Sequence, residues 1–290
     1  MFKCTKQIIE LGELCMWTPF YWKLLGLFLT VLLVTRVSLI VFKDILINAN
    51  LVTKNFRGKC IPGKMGIVFP IIIVPIAVIL FIMGLDPLHI LLMVFLLFSL
   101  AVMGLIDDFS LDQEKGLIGH IYLFLKKGSV SAGFLKALFG VKIGLLFSLI
   151  AAGEFYGPIL LIDVMIISLS ANLVNLLDVK PGRAAKWSLI WGIIFIVILD
   201  NNFELLIPLM AMLTAYAMGD IQEHYMMGDT GANPIGGYLG GIAVLSFTLE
   251  EKLIYFGFLL TIHILTEFYS LSTIIKKSIV LSFIDELGRK

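Results

Sequence analysis

The stretch KMGIVFPIIIVPIAVILFIMGLDPLHILLMVFLLFSLAVMGLIDD, residues 64–108, decides the architecture. Between Lys64 and Asp107 the only residue with a formal charge is Asp86. A helix that crosses a bilayer needs about 20 apolar residues, and this segment holds two such runs, 64–84 and 88–106, hinged at Leu85-Asp86-Pro87. The same ruler applied outward adds 24–42, 135–153, 158–177, 187–200, 203–219, 234–249 and 252–271. The expectation is an all-α polytopic membrane protein of nine transmembrane helices, or ten if the stretch after Ile40 re-enters the membrane. Composition points the same way: 59% of the 290 residues are hydrophobic and 15% charged, against roughly half and a quarter in soluble domains.

Residues 1–23 read as an interfacial segment, because Glu10 and Glu13 interrupt any signal-peptide core and Trp17, Phe20, Tyr21 and Trp22 suit the headgroup level. Residues 24–271 read as one transmembrane bundle and 272–290 as a tail. Fifteen of the 22 basic residues fall in or beside the loops 52–63, 108–134 and 178–186 and the tail. Positive loops stay cytoplasmic, which places the N-terminus outside and the C-terminus inside. A net charge of +1 excludes a global field for nucleic acid. Cys4, Cys15 and Cys60 have neither metal-ligand spacing nor an even framework. Gly236/Gly240 and Gly237/Gly241 form two overlaid GxxxG spacings, the pattern of close helix packing.

The polar clusters lie on the cytoplasmic side. Asp107 and Asp108 end the third span, where adjacent carboxylates repel unless a cation lies between them; a solvated helix end is the plainer reading. Asn172, Asn175 and Asp178 follow one another at three-residue intervals into Lys180-Pro181-Gly182-Arg183. There a helix break presents two cations suited to a phosphate, or a positive loop beneath interhelical amides. Gly228-Asp229-Thr230-Gly231 permits a tight turn that approaches a phosphate, with Asn233 as N-cap and Pro234 as first residue of the next helix. Mg²⁺ takes one or two carboxylates plus phosphate oxygens, and Asp229 with Asp107 or Asp108 supplies them. Lys59 lies in a basic loop before the second span. In the ninth span Glu267 and Ser270 share a helix face.

These motifs, in this order and on one side, resemble those of the polyprenyl-phosphate N-acetylhexosamine-1-phosphate transferases (glycosyltransferase family 4). The resemblance runs from about residue 52 to the C-terminus. It implies a multi-pass enzyme of the bacterial inner membrane. That enzyme would move an amino-sugar 1-phosphate from a UDP-linked amino sugar to undecaprenyl phosphate with Mg²⁺, releasing UMP, for envelope glycans such as peptidoglycan. By motif match Asp229, with Asp107, would hold Mg²⁺, and Asp107 and Asp108 would lie near the lipid phosphate. Asn172, Asn175 and Asp178 would form the nucleotide side, and Lys59 matches a basic residue before the second span. Lys180, Arg183, Asn233 and Glu267 complete the expected substrate contacts. The histidine-rich loop of the family has no counterpart here, so a catalytically inactive relative that binds a lipid-linked precursor is the alternative. A monomer and a homodimer are equally compatible with the sequence.

Overall fold

A computed structural model describes residues 2–55, 57–109, 132–153, 157–199 and 201–289, with side chains from Phe20 onward and, in the fourth helix, from Leu138. Most of the predicted cytoplasmic loop 108–134 lies outside the described residues, as does the last residue of the tail.

The described chain is helical apart from one small hairpin. The long helices are α1 (Phe2–Asn48), α2 (Val68–Ile82), α3 (Pro87–Phe109), α4 (Ala132–Ala152), α5 (Gly157–Leu177), α6 (Arg183–Ile198), α7 (Leu206–Ile221), α8 (Asp229–Ser246) and α9 (Leu249–Phe268); two short ones, α10 (Leu271–Lys277) and α11 (Ile279–Glu286), follow. Single 3-10 turns, Met65–Ile67 and Phe203–Leu205, lead into α2 and α7. Among the described residues five helices are long and apolar enough to cross a bilayer: Phe20–Asn48, Met65–Ile82, Pro87–Asp108, Gly157–Leu177 and Phe203–Ile221. A sixth qualifies if α9 and α10, bent by 102°, count as one span. The fold is therefore an all-α multi-pass membrane protein. The other predicted spans coincide with helices that are shorter or less apolar; α6, at 16 residues, is about 24 Å long, short of a ~30 Å hydrocarbon core.

The backbone does not break at the aromatic cluster near Trp22, since α1 runs unbroken from Phe2 to Asn48. Between α1 and α2 the chain forms a hairpin, β1 (Val52–Lys54) against β2 (Cys60–Pro62), in the antiparallel register Val52↔Pro62, Thr53↔Ile61, Lys54↔Cys60. Three residues a side carry too little periodicity to show in a sequence.

Helix α8 is the axis of the bundle, and every residue from Thr230 to Val244 is buried. Its glycines explain how. A Cβ at Gly236 would lie 2.2 Å from the Ser170 carbonyl oxygen, and one at Gly240 2.9 Å from the Ile167 Cα, both on α5. One at Gly237 would lie 2.0 Å from Leu100 Cδ1, and one at Gly241 2.7 Å from Leu96 Cδ2, both on α3. The two GxxxG registers thus serve two partners: one stripe receives α5, the other α3. Around this core α4 packs on α3 and α5, α9 on α5, α2 on α3, and α7 between α1 and α6.

Two ends of the bundle differ in chemistry. At one, Asp86, His89, Asn201, Asn202 and Glu204 line a cleft with Phe20 and Met83, and His89 Nδ1 lies 3.2 Å from Asn202 Oδ1. At the other lie the hairpin, the ends of α3, α5 and α7, and the start of α8.

Candidate functional site

The second end is organised by the start of α8. The first amides of a helix have no partner within it, and Gly228, with φ 72° and ψ 171°, brings no side chain to satisfy them. The cap comes from another helix. Asp108, at the end of α3, accepts hydrogen bonds from the amides of Asp229 (3.1 Å) and Thr230 (3.0 Å) and from the Thr230 hydroxyl (2.6 Å). A carboxylate at a helix N-terminus also meets the positive end of the helix dipole. Gly104 makes the approach possible: one turn before Asp108, its missing Cβ would stand 2.1 Å from the Asp229 carbonyl oxygen. Gly66 does the same from the other flank, where a Cβ would stand 2.1 Å from the Gly231 Cα.

Sequence reasoning places the start of this helix at Asn233-Pro234; the structure corrects it to Asp229. Because Asp108 caps from outside, the helix needs no local cap, and Pro234 sits inside α8. Asn233 is buried, and its side-chain amide donates to the Asp229 carbonyl at 2.9 Å rather than opening toward a ligand.

Asp178, just past α5, joins the cluster by accepting the Gly228 N–H at 3.1 Å. Burial, and then the neighbouring Asp220, Asp229 and Asp108, push its carboxyl well above the usual carboxylate range, against the lowering effect of the Gly228 amide. Asp220, near the end of α7, is buried and accepts the Gly182 N–H at 3.0 Å. This fourth carboxylate has no motif in the sequence to mark it. Its signal is a lone acidic residue ending an apolar span, as weak as any solvated helix end.

Four aspartates, from α3, the turn after α5, α7 and α8, therefore meet at one end. Among the described residues no group of three or more His, Cys, Asp or Glu side chains forms a preformed metal cage. Mg²⁺ would need no such cage, since it keeps several waters and takes one or two carboxylates with substrate phosphate.

Beside the cluster a narrow cleft of about 30 Å³ lies between Asn55 and Ile61 of the hairpin, Asp178 and Lys180, and Asp220 and Glu223. The hairpin is stitched to the 222–228 loop. Met226 donates to the Pro62 carbonyl (2.8 Å), Met65 to that of Met226 (2.9 Å) and Gly66 to that of Met227 (3.0 Å). Asn55 donates to Glu223 at 2.8 Å, and Arg57 pairs with Glu223 at 3.2 Å. Tyr225 lines the cleft wall but is itself largely buried, its hydroxyl donating to the Tyr216 carbonyl at 2.9 Å.

The remaining predicted residues divide by geometry. Lys59 is exposed at the hairpin turn, and Lys180 borders the cleft. Asn172 is exposed and Asn175 half-buried. Of the three, Asp178 joins the cluster, through the Gly228 N–H. Glu267 is exposed at the end of α9. Arg183 departs furthest from expectation. It is fully buried, and its guanidinium forks onto Asp285 (2.6 and 2.8 Å) and donates to Ser272 (2.8 Å). The segment read from sequence as a tail supplies the partner, so Arg183 braces the fold rather than facing a phosphate.

Fold and site together define a multi-pass helical membrane protein with an acidic centre at one end of its bundle. No family model matches the chain. It is similar to the phospho-N-acetylmuramoyl-pentapeptide-transferase of Acaryochloris marina (strain MBIC 11017), at 25% identity over 189 residues. That match covers 58% of this chain and 48% of the relative, so it spans about half of that protein's length.

Proposed function

We propose that the protein is a membrane glycosyl-1-phosphate transferase of the bacterial inner membrane, with its acidic end facing the cytoplasm. In this reading it moves an N-acetylhexosamine 1-phosphate from a UDP-sugar to undecaprenyl phosphate for a cell-envelope glycan. An oxygen of the lipid phosphate bonds to the sugar-bearing phosphorus, and the bond from that phosphorus to UMP breaks. The observation that carries the reading is the junction of Asp108, Asp178 and Asp229, three carboxylates that separate helices bring to one membrane end beside an open cleft. The similarity to a curated transferase supports it.

Phosphoryl transfer asks mainly for positioning and charge neutralisation. Asp229 and Asp107 would hold Mg²⁺, which when bound neutralises charge developing on the phosphoryl oxygens. The residues of the chain do the positioning. Asp108 fixes the start of α8 and hence Asp229, and Asp178 fixes Gly228. Lys180 supplies positive charge at the cleft where the donor nucleotide would lie. A lipid-soluble acceptor and a water-soluble donor meet naturally at such a boundary.

A second reading is a catalytically silent relative that binds a lipid-linked precursor. One observation favours it: both Asp108 oxygens are engaged by α8, through three hydrogen bonds. Release of UMP by purified protein, with Mg²⁺, undecaprenyl phosphate and a panel of UDP-sugars, separates the two. Turnover with one donor, lost in Asp229→Asn while the melting temperature holds, is the expected result. Retained turnover in that variant would overturn the metal-ligand assignment. Undecaprenyl phosphate binding without turnover on any donor would replace the first reading by the second.

A further inference from the structure

The C-terminal segment lies outside the site, yet it is built with care. After α9 the chain turns by 102° at Tyr269-Ser270, and the Ser270 and Ser278 side chains accept from Thr273 and Leu281 to cap α10 and α11. α11 and the residue after it present two opposed faces. Ile279, Val280, Phe283 and Leu287 are 89%, 66%, 68% and 56% exposed. At 100° per residue they fill an arc of about 100°, and Asp285 falls opposite its centre. Asp285 is buried, held by the Arg183 fork and by Arg289 at 2.7 Å. The helix thus turns Asp285 inward, beside Leu281 packed on the core, and leaves most of its apolar side chains outward, unlike a helix that buries its apolar stripe in water.

Its surroundings name the medium it faces. Phe268 and Tyr269, at the bend, are both exposed, and Lys276 and Lys277 are exposed at the end of α10. Lys277 Nζ lies 5.6 Å from the Tyr269 ring. Aromatic residues at a span end, adjacent lysines and an amphipathic helix running on from them form the pattern of a headgroup-level segment. Lysines at this level are attracted to an anionic lipid surface.

We propose that α11 is a membrane-surface helix. Its apolar arc lies in the acyl boundary of the leaflet at the acidic end of the bundle, Lys276 and Lys277 rest on anionic headgroups, and Asp285 tethers it to Arg183. Arg183 opens α6, directly after the 178–182 turn that carries Asp178 and whose Gly182 amide binds Asp220. The lipid surface and the acidic centre are therefore joined through the Arg183–Asp285 ion pair, reinforced by Lys186, whose ammonium donates to the Asp285 and Leu287 carbonyls, with α11 as a strap between bilayer and site.

The test uses the full chain in nanodiscs containing phosphatidylglycerol. A nitroxide is placed at Phe283→Cys after Cys4, Cys15 and Cys60 are changed to serine; the exposed native Cys60, labelled with Cys4 and Cys15 changed to serine, is the aqueous reference. The label at 283 is expected to collide with oxygen and to be shielded from a water-soluble nickel chelate, unlike the label at 60. Lys276→Gln with Lys277→Gln should shift it toward the Cys60 values, and Asp285→Asn should increase its motion while leaving the Cys60 spectrum unchanged. Nickel accessibility at 283 equal to that at Cys60 would overturn the proposal. So would spin–spin broadening at 283 that disappears on dilution with unlabelled protein, since the occupant would then be a second copy of the chain. An Asp285→Asn spectrum identical to the parent would overturn the tether.

Discussion

Replacing Gly104 by alanine tests whether α3 and α8 meet as described. The added Cβ would lie 2.1 Å from the Asp229 carbonyl oxygen, 2.4 Å from its carbon and 2.7 Å from the Thr230 nitrogen. All three are backbone atoms, so no rotamer relieves the clash. Carbon-to-oxygen contacts settle near 3.3–3.6 Å, which asks the two helices to part by about 1 Å. Overpacking of this kind costs about 1–3 kcal/mol. The displacement also stretches the three hydrogen bonds by which Asp108 caps α8, and losing a cap costs about 1 kcal/mol. A loss of about 2–4 kcal/mol is expected, together with a shifted acidic centre. If the proposed transfer reaction holds, a 1 Å misplacement lowers turnover by up to about 100-fold. Gly140→Ala is the control: it is also in a helix, with nothing within 4 Å of the new Cβ, and should be neutral or stabilising by up to about 1 kcal/mol. Thermal unfolding in detergent measures both. Equal melting temperatures for Gly104→Ala and Gly140→Ala would refute the close contact and the capping with it.

The two glycine stripes of α8 should respond unequally. Gly236→Ala meets the Ser170 backbone, whereas Gly237→Ala meets the flexible end of Leu100, so the first should lower the melting temperature more. Arg183→Lys keeps the charge but not the fork that holds Asp285 and Ser272. It should destabilise the chain, and Arg183→Ala more so, by about 3–5 kcal/mol, because a buried partner is left unpaired; unfolding in denaturant compares them. Asp285 supplies a pH test. Burial alone would raise its carboxyl, but the hydrogen bonds and charges of Arg183 and Arg289 outweigh that and bring it from 3.8 to about 2. A depressed acid contributes stability above its unfolded value, here about 2 kcal/mol, and loses it as the pH falls through the folded one. The melting-temperature gap between the parent and Asp285→Asn should therefore be full above about pH 4 and narrow toward pH 2. A gap constant across that window would refute the ion pair.

Much of this is legible residue by residue. The runs of 64–84 and 88–106 announce membrane helices because lipid tolerates few charges, and α2 and α3 lie there. The GxxxG spacings of α8 announce close packing, though not that one stripe serves α5 and the other α3. Of the candidate residues Asp107, Asp108, Asp178 and Asp229 stand out because each belongs to a polar cluster beside an apolar run rather than standing alone. Asn172 and Asn175 are equally marked in the sequence, and the structure leaves the first exposed and the second half-buried on α5. Asn233 looked like a cap, since nothing local reveals that Asp108 caps the helix from 121 residues away. Asp220 and Asp285 were overlooked for the same reason: a lone acid gains meaning only from what it touches.

The division follows from range. Hydrophobic length, helix periodicity, turn chemistry and the bias of positive loops are properties of neighbouring residues, and the sequence alone determined from them a multi-pass helical membrane protein with acidic motifs in a definite order. Which aspartate caps a helix, which arginine is spent on an ion pair, and which face of the last helix is left apolar depend on contacts between residues a hundred or more positions apart. Those contacts exist only once the helices pack, because their geometry is set by the close approach of backbones at Gly66, Gly104 and the α8 glycines. The tertiary structure alone decided them.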